Sequence, residues 1–264
     1  MRSRAMLVLA LALLVPVAAS AQVNNSAANA WWLWADGTSI SDQFGIDTSQ
    51  WYGSTLESGK SYVLEANVPA ARYSDPAFPT PGLWDQNGTT PLTNVDLNCN
   101  TSGQTPSFPT STGFRCTLRP KDSVGVKEMR ISLFGQLTQF RIRLRESTIY
   151  SRWTTNGYNM YIALQNTSVS GANLTVMLLS DAPSYPPTPV VSQNVTVGGF
   201  GSAQLVFLAG SLSPNRGTVR VLAGPPNFLF VPGQITVQAY GFNPTTNTYL
   251  PFQTERVNDG KTTW

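Results

Sequence analysis

The side chains best suited to chemistry in this chain are aromatic and basic. Trp31, Trp32 and Trp34 form a W-W-x-W string, and Trp51, Tyr52 and Trp84 follow within the first third of the sequence. Large flat rings with one polar atom stack well on the C–H faces of sugars, and an exposed tryptophan on a sandwich is a natural platform for a polysaccharide. The alternative use of the same rings is to fill a core. Successive side chains of a strand point to opposite faces, so the string sends at least one ring away from its neighbours. Packing is expected for most of the rings, and Trp31 or Trp32 is expected to be the one left in solvent. The second candidate is a comb of arginines. In a strand, Arg141, Arg143 and Arg145 project from one face about 6.6 Å apart. Three like charges so placed call either for an acidic polysaccharide or for acids on a neighbouring strand, and the paired or solvated comb is the commoner case. The residues read as ligand-binding are thus Trp31, Trp32, Trp84, Arg141, Arg143 and Arg145.

Other chemistries lose ground on residue type or spacing. The chain contains no histidine, which removes His-based triads, most zinc sites and imidazole pH switches. Ser58-Gly59-Lys60-Ser61 resembles the end of a phosphate-binding loop. The required upstream glycine is absent, however, because Gly53 falls one position off and Ser54 stands in its place. A strand pattern also follows, where a helix N-terminus would be needed. Hydrolysis by two carboxylates needs no histidine, and Asp36, Asp42, Asp47, Asp75 and Asp85 lie near the tryptophans, yet no spacing singles out a pair. Asp36, Asp42 and Asp47 lack the ligand order and glycine of an EF-hand loop. No metal site and no cofactor are expected, and the chain is read as non-enzymatic, with a histidine-free glycoside hydrolase as the third-ranked alternative.

Residues 1–21 read as a secretory leader: Arg2 and Arg4, an apolar run from Ala5 to Val17, and Ala19-Ser20-Ala21 before Gln22. The run is too short to span about 30 Å of hydrocarbon, and no later segment is long and apolar enough, so no transmembrane segment is expected in the mature chain. The last residue, Trp264, is the only trace of an outer-membrane barrel signal, and the alternation such a strand needs is missing before it. Loss of the two leader arginines lowers the formal charge from +3 to +1, which gives no reason to expect nucleic-acid binding. The charge is uneven: nine basic and three acidic residues lie between Arg115 and Arg152. Cys99 and Cys116, the only cysteines, suit an exported chain as a disulfide closing a Ser/Thr/Pro-rich loop. The expected location is secreted, periplasmic or at the cell surface. Six N-x-S/T triplets begin at Asn24, Asn87, Asn100, Asn166, Asn173 and Asn194, and in a chain this rich in Asn, Ser and Thr they are read as incidental.

These residues must be positioned by strands. Period-2 alternation recurs at Tyr62–Val68, Met129–Leu133, Phe140–Arg145, Met160–Leu164, Leu174–Leu178, Val195–Val197, Val219–Val221 and Ile235–Ala239, and no helical period of useful length appears after the leader. Short strands punctuated by 21 glycines and 19 prolines argue for antiparallel sandwiches rather than β/α units. A loose internal echo links Ser58-Gly59, the strand after it and Ser74-Asp75 to Ser170-Gly171, its strand and Ser180-Asp181. The fold class expected is therefore all-β, with two antiparallel β-sandwich domains in tandem after the leader, residues 22–147 and 148–264. Tyr161-Ile162-Ala163-Leu164-Gln165-Asn166-Thr167, a short turn, then Ala172-Asn173-Leu174-Thr175-Val176 resembles the opening hairpin of immunoglobulin-like modules of exported bacterial proteins. That resemblance covers about 20 residues of the second half and implies an Ig-like accessory or adhesive module; it brings no catalytic residue. The sequence as a whole leads to an exported structural or interaction protein of the cell surface, envelope or matrix, whose partner is a polysaccharide or a surface protein. A carbohydrate-binding module using the tryptophans or the arginine strand is the alternative.

Overall fold

The computed structural model describes residues 24–43, 48–68, 81–101, 112–121, 126–135, 139–181, 188–225 and 234–256. They form one 3-10 turn, Ala27–Asn29, and eighteen strands. In the first half these are β1 (Trp31–Trp32), β2 (Asp36–Gln43), β3 (Thr48–Glu57), β4 (Tyr62–Val68), β5 (Gly82–Trp84), β6 (Val95–Thr101), β7 (Thr112–Pro120), β8 (Val126–Gly135) and β9 (Gln139–Glu146). In the second they are β10 (Ile149–Thr154), β11 (Asn159–Asn166), β12 (Ala172–Ser180), β13 (Pro189–Val197), β14 (Ser202–Phe207), β15 (Arg216–Ala223), β16 (Ile235–Asn243), β17 (Thr248–Phe252) and β18 (Glu255–Arg256). The all-β expectation is met, and every alternating segment named above falls within a strand.

Each half contributes a four-stranded and a five-stranded sheet. The first half has β1-β3-β8-β5 and β2-β9-β4-β7-β6; the second has β14-β11-β16-β17 and β13-β12-β15-β10-β18. Pairing is antiparallel except for β1 with β3, where Trp31 lies beside Tyr52 and Trp32 beside Gly53. Tyr52, Leu56, Met129 and Ile131 from one sheet of the first half meet Leu64, Phe114, Leu118, Ile142 and Leu144 from the other in a single apolar cluster. A second cluster joins Trp153, Leu174, Val176, Val219 and Val221 to Met160, Ile162, Leu164, Leu205 and Val237. The arrangement is sandwich-like, and it follows from alternation: the inner face of the central strands is mainly apolar, and two such faces together exclude water.

Cys99 and Cys116 face each other across β6 and β7 with their sulfurs 2.07 Å apart. That covalent tie, and a chain whose described residues include no helix long and apolar enough to cross a membrane, are compatible with an extracellular location. The leader, Asp47, Asp75, the stretch 69–80 and Trp264 lie outside the described residues.

Between the two apolar clusters, Ser147 and Thr148 are buried. The Ser147 backbone N–H donates to the Ser61 carbonyl at 2.8 Å, and the Ser61 N–H donates to Thr148 Oγ1 at 3.0 Å. Further contacts link the halves: Arg119 of β7 donates to Thr175 Oγ1 at 2.7 Å and to the Ala223 carbonyl at 3.0 Å, and Arg220 of β15 donates to the Gly59 carbonyl at 2.9 Å. Thr175, Met177 and Leu222, on the side of β12 and β15 away from the second cluster, are as buried as that cluster itself.

Candidate functional site

The tryptophans separate by strand parity. In β1, Trp31 turns inward and packs against the first apolar cluster, while Trp32 turns to the outer side of the sheet β1-β3-β8-β5. Register places Trp32 beside Gly53, Gly53 opposite Arg130, and Arg130 opposite Trp84. One row across the sheet therefore reads Trp32, Gly53, Arg130, Trp84. Trp51 stands in the adjoining row, opposite Ser132, its ring 6.1 Å from that of Trp84. Trp34 follows β1 and meets Trp32 edge to face at 5.9 Å.

Local chemistry fixes these rings. A Cβ on Gly53 would lie 2.8 Å from Cε3 of Trp32 and 3.1 Å from Nη1 of Arg130, so only glycine lets the indole and the guanidinium lean over the strand between them. The Trp84 Nε1–H donates to Ser132 Oγ at 2.7 Å. Arg130 is held by Glu128 Oε1 at 2.9 Å and by the Ala27 carbonyl at 3.1 Å, which also ties the 3-10 turn to this face. Trp32, Trp51 and Trp84 are half-buried, and Trp34 is 65% exposed. The expectation that Trp31 or Trp32 would be the solvent-facing ring is corrected: the most exposed of the described tryptophans is Trp34, which lies beyond the two-residue strand and has no neighbour strand to lean on.

The arginine comb lies on one face, as its spacing requires, but its members have different surroundings. Arg143 and Arg145 are 2% and 5% exposed, and both reach Glu65 of β4. Arg143 Nε donates to Oε2 at 2.8 Å, and Arg145 Nη2 to Oε1 at 3.2 Å. Arg115 of β7 completes the cluster, its Nε donating to Glu65 Oε1 at 2.7 Å. Burial drives the Glu65 carboxyl upward, but the three guanidinium charges outweigh it and hold the group below the usual carboxylate range. Burial lowers the Arg145 guanidinium, partly offset by Glu65. Arg141 is exposed and borders a cleft of about 490 Å³ lined also by Ser41, Asp42, Gln43, Gln139 and Phe140. Of the comb, then, only Arg141 faces solvent, because β4 sets Glu65 opposite Arg143 and within reach of Arg145 one pair along the same face.

The described acids near the tryptophans, Asp36, Asp42 and Asp85, are engaged locally. Asp36 accepts from the Thr38 N–H at 2.8 Å and the Thr38 hydroxyl at 2.9 Å. Asp42 accepts from Asn24 Nδ2 at 2.8 Å and the Tyr52 hydroxyl at 2.6 Å; burial, then the Asp42 charge, pushes that phenol above its ordinary range and keeps it a donor. Asp85 accepts from the Thr89 N–H at 2.9 Å, and this bond leads the causes that hold its carboxyl below the usual range. Among the described residues no group of His, Cys, Asp or Glu side chains is arranged to hold a metal ion. Two of the N-x-S/T asparagines are structural: Asn24 and Asn166 are 2% and 1% exposed, and Asn166 Nδ2 donates to the Ser170 carbonyl at 2.7 Å.

Sequence reasoning put Trp32 and Trp84 in the candidate site without placing them on one face, and it left out Gly53 and Arg130. The alternation of Met129, Ile131 and Leu133 already implied that Arg130 points away from the core; what no local pattern carries is the register that seats it between two indoles. No protein-family model matches the chain, and no curated protein matches it.

Proposed function

We propose that the chain is an exported, non-enzymatic interaction protein of the cell surface, envelope or matrix, built of two immunoglobulin-like sandwiches, and that it holds polysaccharide on the outer face of β1-β3-β8-β5. The observation that carries this reading is the row Trp32, Gly53, Arg130, Trp84, with Trp51 beside it and Trp34 at its border. Rings set on a rigid sheet lose little freedom on binding, which favours recognition over induced fit. Arg130 already has a carboxylate partner in Glu128, so its N–H groups offer hydrogen bonds to sugar hydroxyls without demanding an acidic ligand. The local engagement of Asp36, Asp42 and Asp85 supports a binding role over acid–base hydrolysis.

The test is retention of residues 22–264 on a panel of neutral and acidic polysaccharides at low and high salt, with release of reducing ends followed in the same tubes. Salt-resistant retention without reducing-end release is expected. Trp84→Ala should weaken it about tenfold, the scale of one lost aromatic stacking contact, at a melting temperature close to that of the parent. Steady release of reducing ends, or retention unaffected by Trp32→Ala and Trp84→Ala, would overturn the reading.

A further inference from the structure

The sheet β14-β11-β16-β17 carries a second aromatic array on its outer face. Its inward residues, Met160, Ile162, Leu164, Leu205, Val237 and Ala239, belong to the second apolar cluster, so alternation turns Tyr161, Tyr240 and Phe242 outward. Register sets Tyr161 between Tyr240 and Val206, and Phe242 opposite Tyr249. The Tyr161 and Tyr240 rings are stacked, 5.0 Å apart and 9° from parallel. Tyr249 extends the row, 6.1 Å from Tyr240 and 4.9 Å from Phe242. Tyr249 is 69% and Val206 46% exposed; the other three rings are half-buried. From β11 to β17 the row covers two strand spacings, about 10 Å, a length that suits a disaccharide unit.

Charge decides what this face fits. The strands NMYIALQN, SAQLVF, ITVQAYGFN and TYLPF contain no charged residue. The polar groups beside the rings are neutral donors and acceptors: Gln204, whose Nε2 lies 3.4 Å from the Tyr240 hydroxyl, with Gln238 and Asn159. Among the described residues, these four strands offer an acidic glycan no cation. A neutral one lays C–H groups against the exposed Tyr249 ring and the outward side of the Tyr161–Tyr240 stack, sets hydroxyls against the amides, and loses no ionic hydration on docking.

We infer that this face is a second polysaccharide site, selective for neutral glycans. The inference rests on the reading of the chain as a polysaccharide-binding protein and adds a site chemically distinct from the tryptophan face, which carries Arg130. Two sites on one chain raise avidity for a single polymer or join two polymers, depending on whether both can be engaged at once.

The experiment is calorimetric titration of residues 22–264 with neutral β-1,4-gluco-, α-1,4-gluco- and xylo-oligosaccharides and with polygalacturonate, at low and high salt. Tyr161→Ala, Tyr240→Ala, Tyr240→Phe and Trp84→Ala are compared with the parent, and sedimentation velocity is run on each. The expected result is two sites for a neutral oligosaccharide, insensitive to salt. Tyr240→Ala and Tyr161→Ala weaken one site about tenfold, Tyr240→Phe leaves it, and Trp84→Ala weakens the other alone. The inference is overturned if both tyrosine-to-alanine variants bind as the parent does while melting at its temperature. Binding of polygalacturonate alone would overturn it too, as would a parent dimer abolished by Tyr240→Ala, which would make the face a contact between copies. Loss of all binding in Trp84→Ala with none in Tyr240→Ala would sink this site and spare the tryptophan face; absence of binding to every glycan would sink both.

Discussion

Glu65 is fully buried with Arg115, Arg143 and Arg145 around it, and its carboxylate keeps three cations from facing one another in a poorly screened interior. Glu65→Gln should therefore destabilise the fold by about 3–5 kcal/mol, the usual cost of removing one partner from a buried ionic cluster. Because the folded carboxyl lies below its ordinary value of 4.5, its contribution is complete above about pH 4.5 and is lost as pH falls through the folded value. Melting curves of the parent should fall across that acidic window, and those of Glu65→Gln should fall less. Equal pH slopes would show that Glu65 is not the titrating support. The comb itself was legible, since alternation alone puts Arg141, Arg143 and Arg145 on one face. Its partner was not: Glu65 lies 78 residues from Arg143, and only the pairing of β4 with β9 joins them.

At the scale of elements, a strand's inner and outer sides could be read wherever apolar residues alternate, as in β4, β9 and β12. Sheet order and the parallel pairing of β1 with β3 could not, because they depend on contacts between distant segments. The tryptophan face is a product of that order, since β5 supplies Trp84 to a sheet whose other indoles come from β1 and β3. The β6–β7 pair shows local and long-range reasoning agreeing, as the cysteines expected to close a loop stand directly opposite each other. Replacing both by serine should lower stability by about 3 kcal/mol from loop entropy and leave glycan binding intact, as chemical denaturation and titration would record. Lost binding at unchanged stability would mean that the bridge shapes a site.

At the scale of the whole molecule, buried polar bonds join the two halves between the apolar clusters. Ser61, Ser147 and Thr148 bond to one another, and Arg119 and Arg220 cross between the halves. The burial of Ser147 and Thr148 could not be read from the sequence, because serine and threonine there look like any loop. Function on this view belongs to the outer faces, where rings are held by register rather than by local motif. The most direct test is an indole N–H NMR titration of residues 22–264 with the neutral oligosaccharide that binds best. The Trp32 and Trp84 signals should shift with a common dissociation constant, while that of Trp153, buried and bonded to the Leu179 carbonyl, stays in place. Saturating ligand that leaves Trp32 and Trp84 unmoved would contradict a site on the tryptophan face.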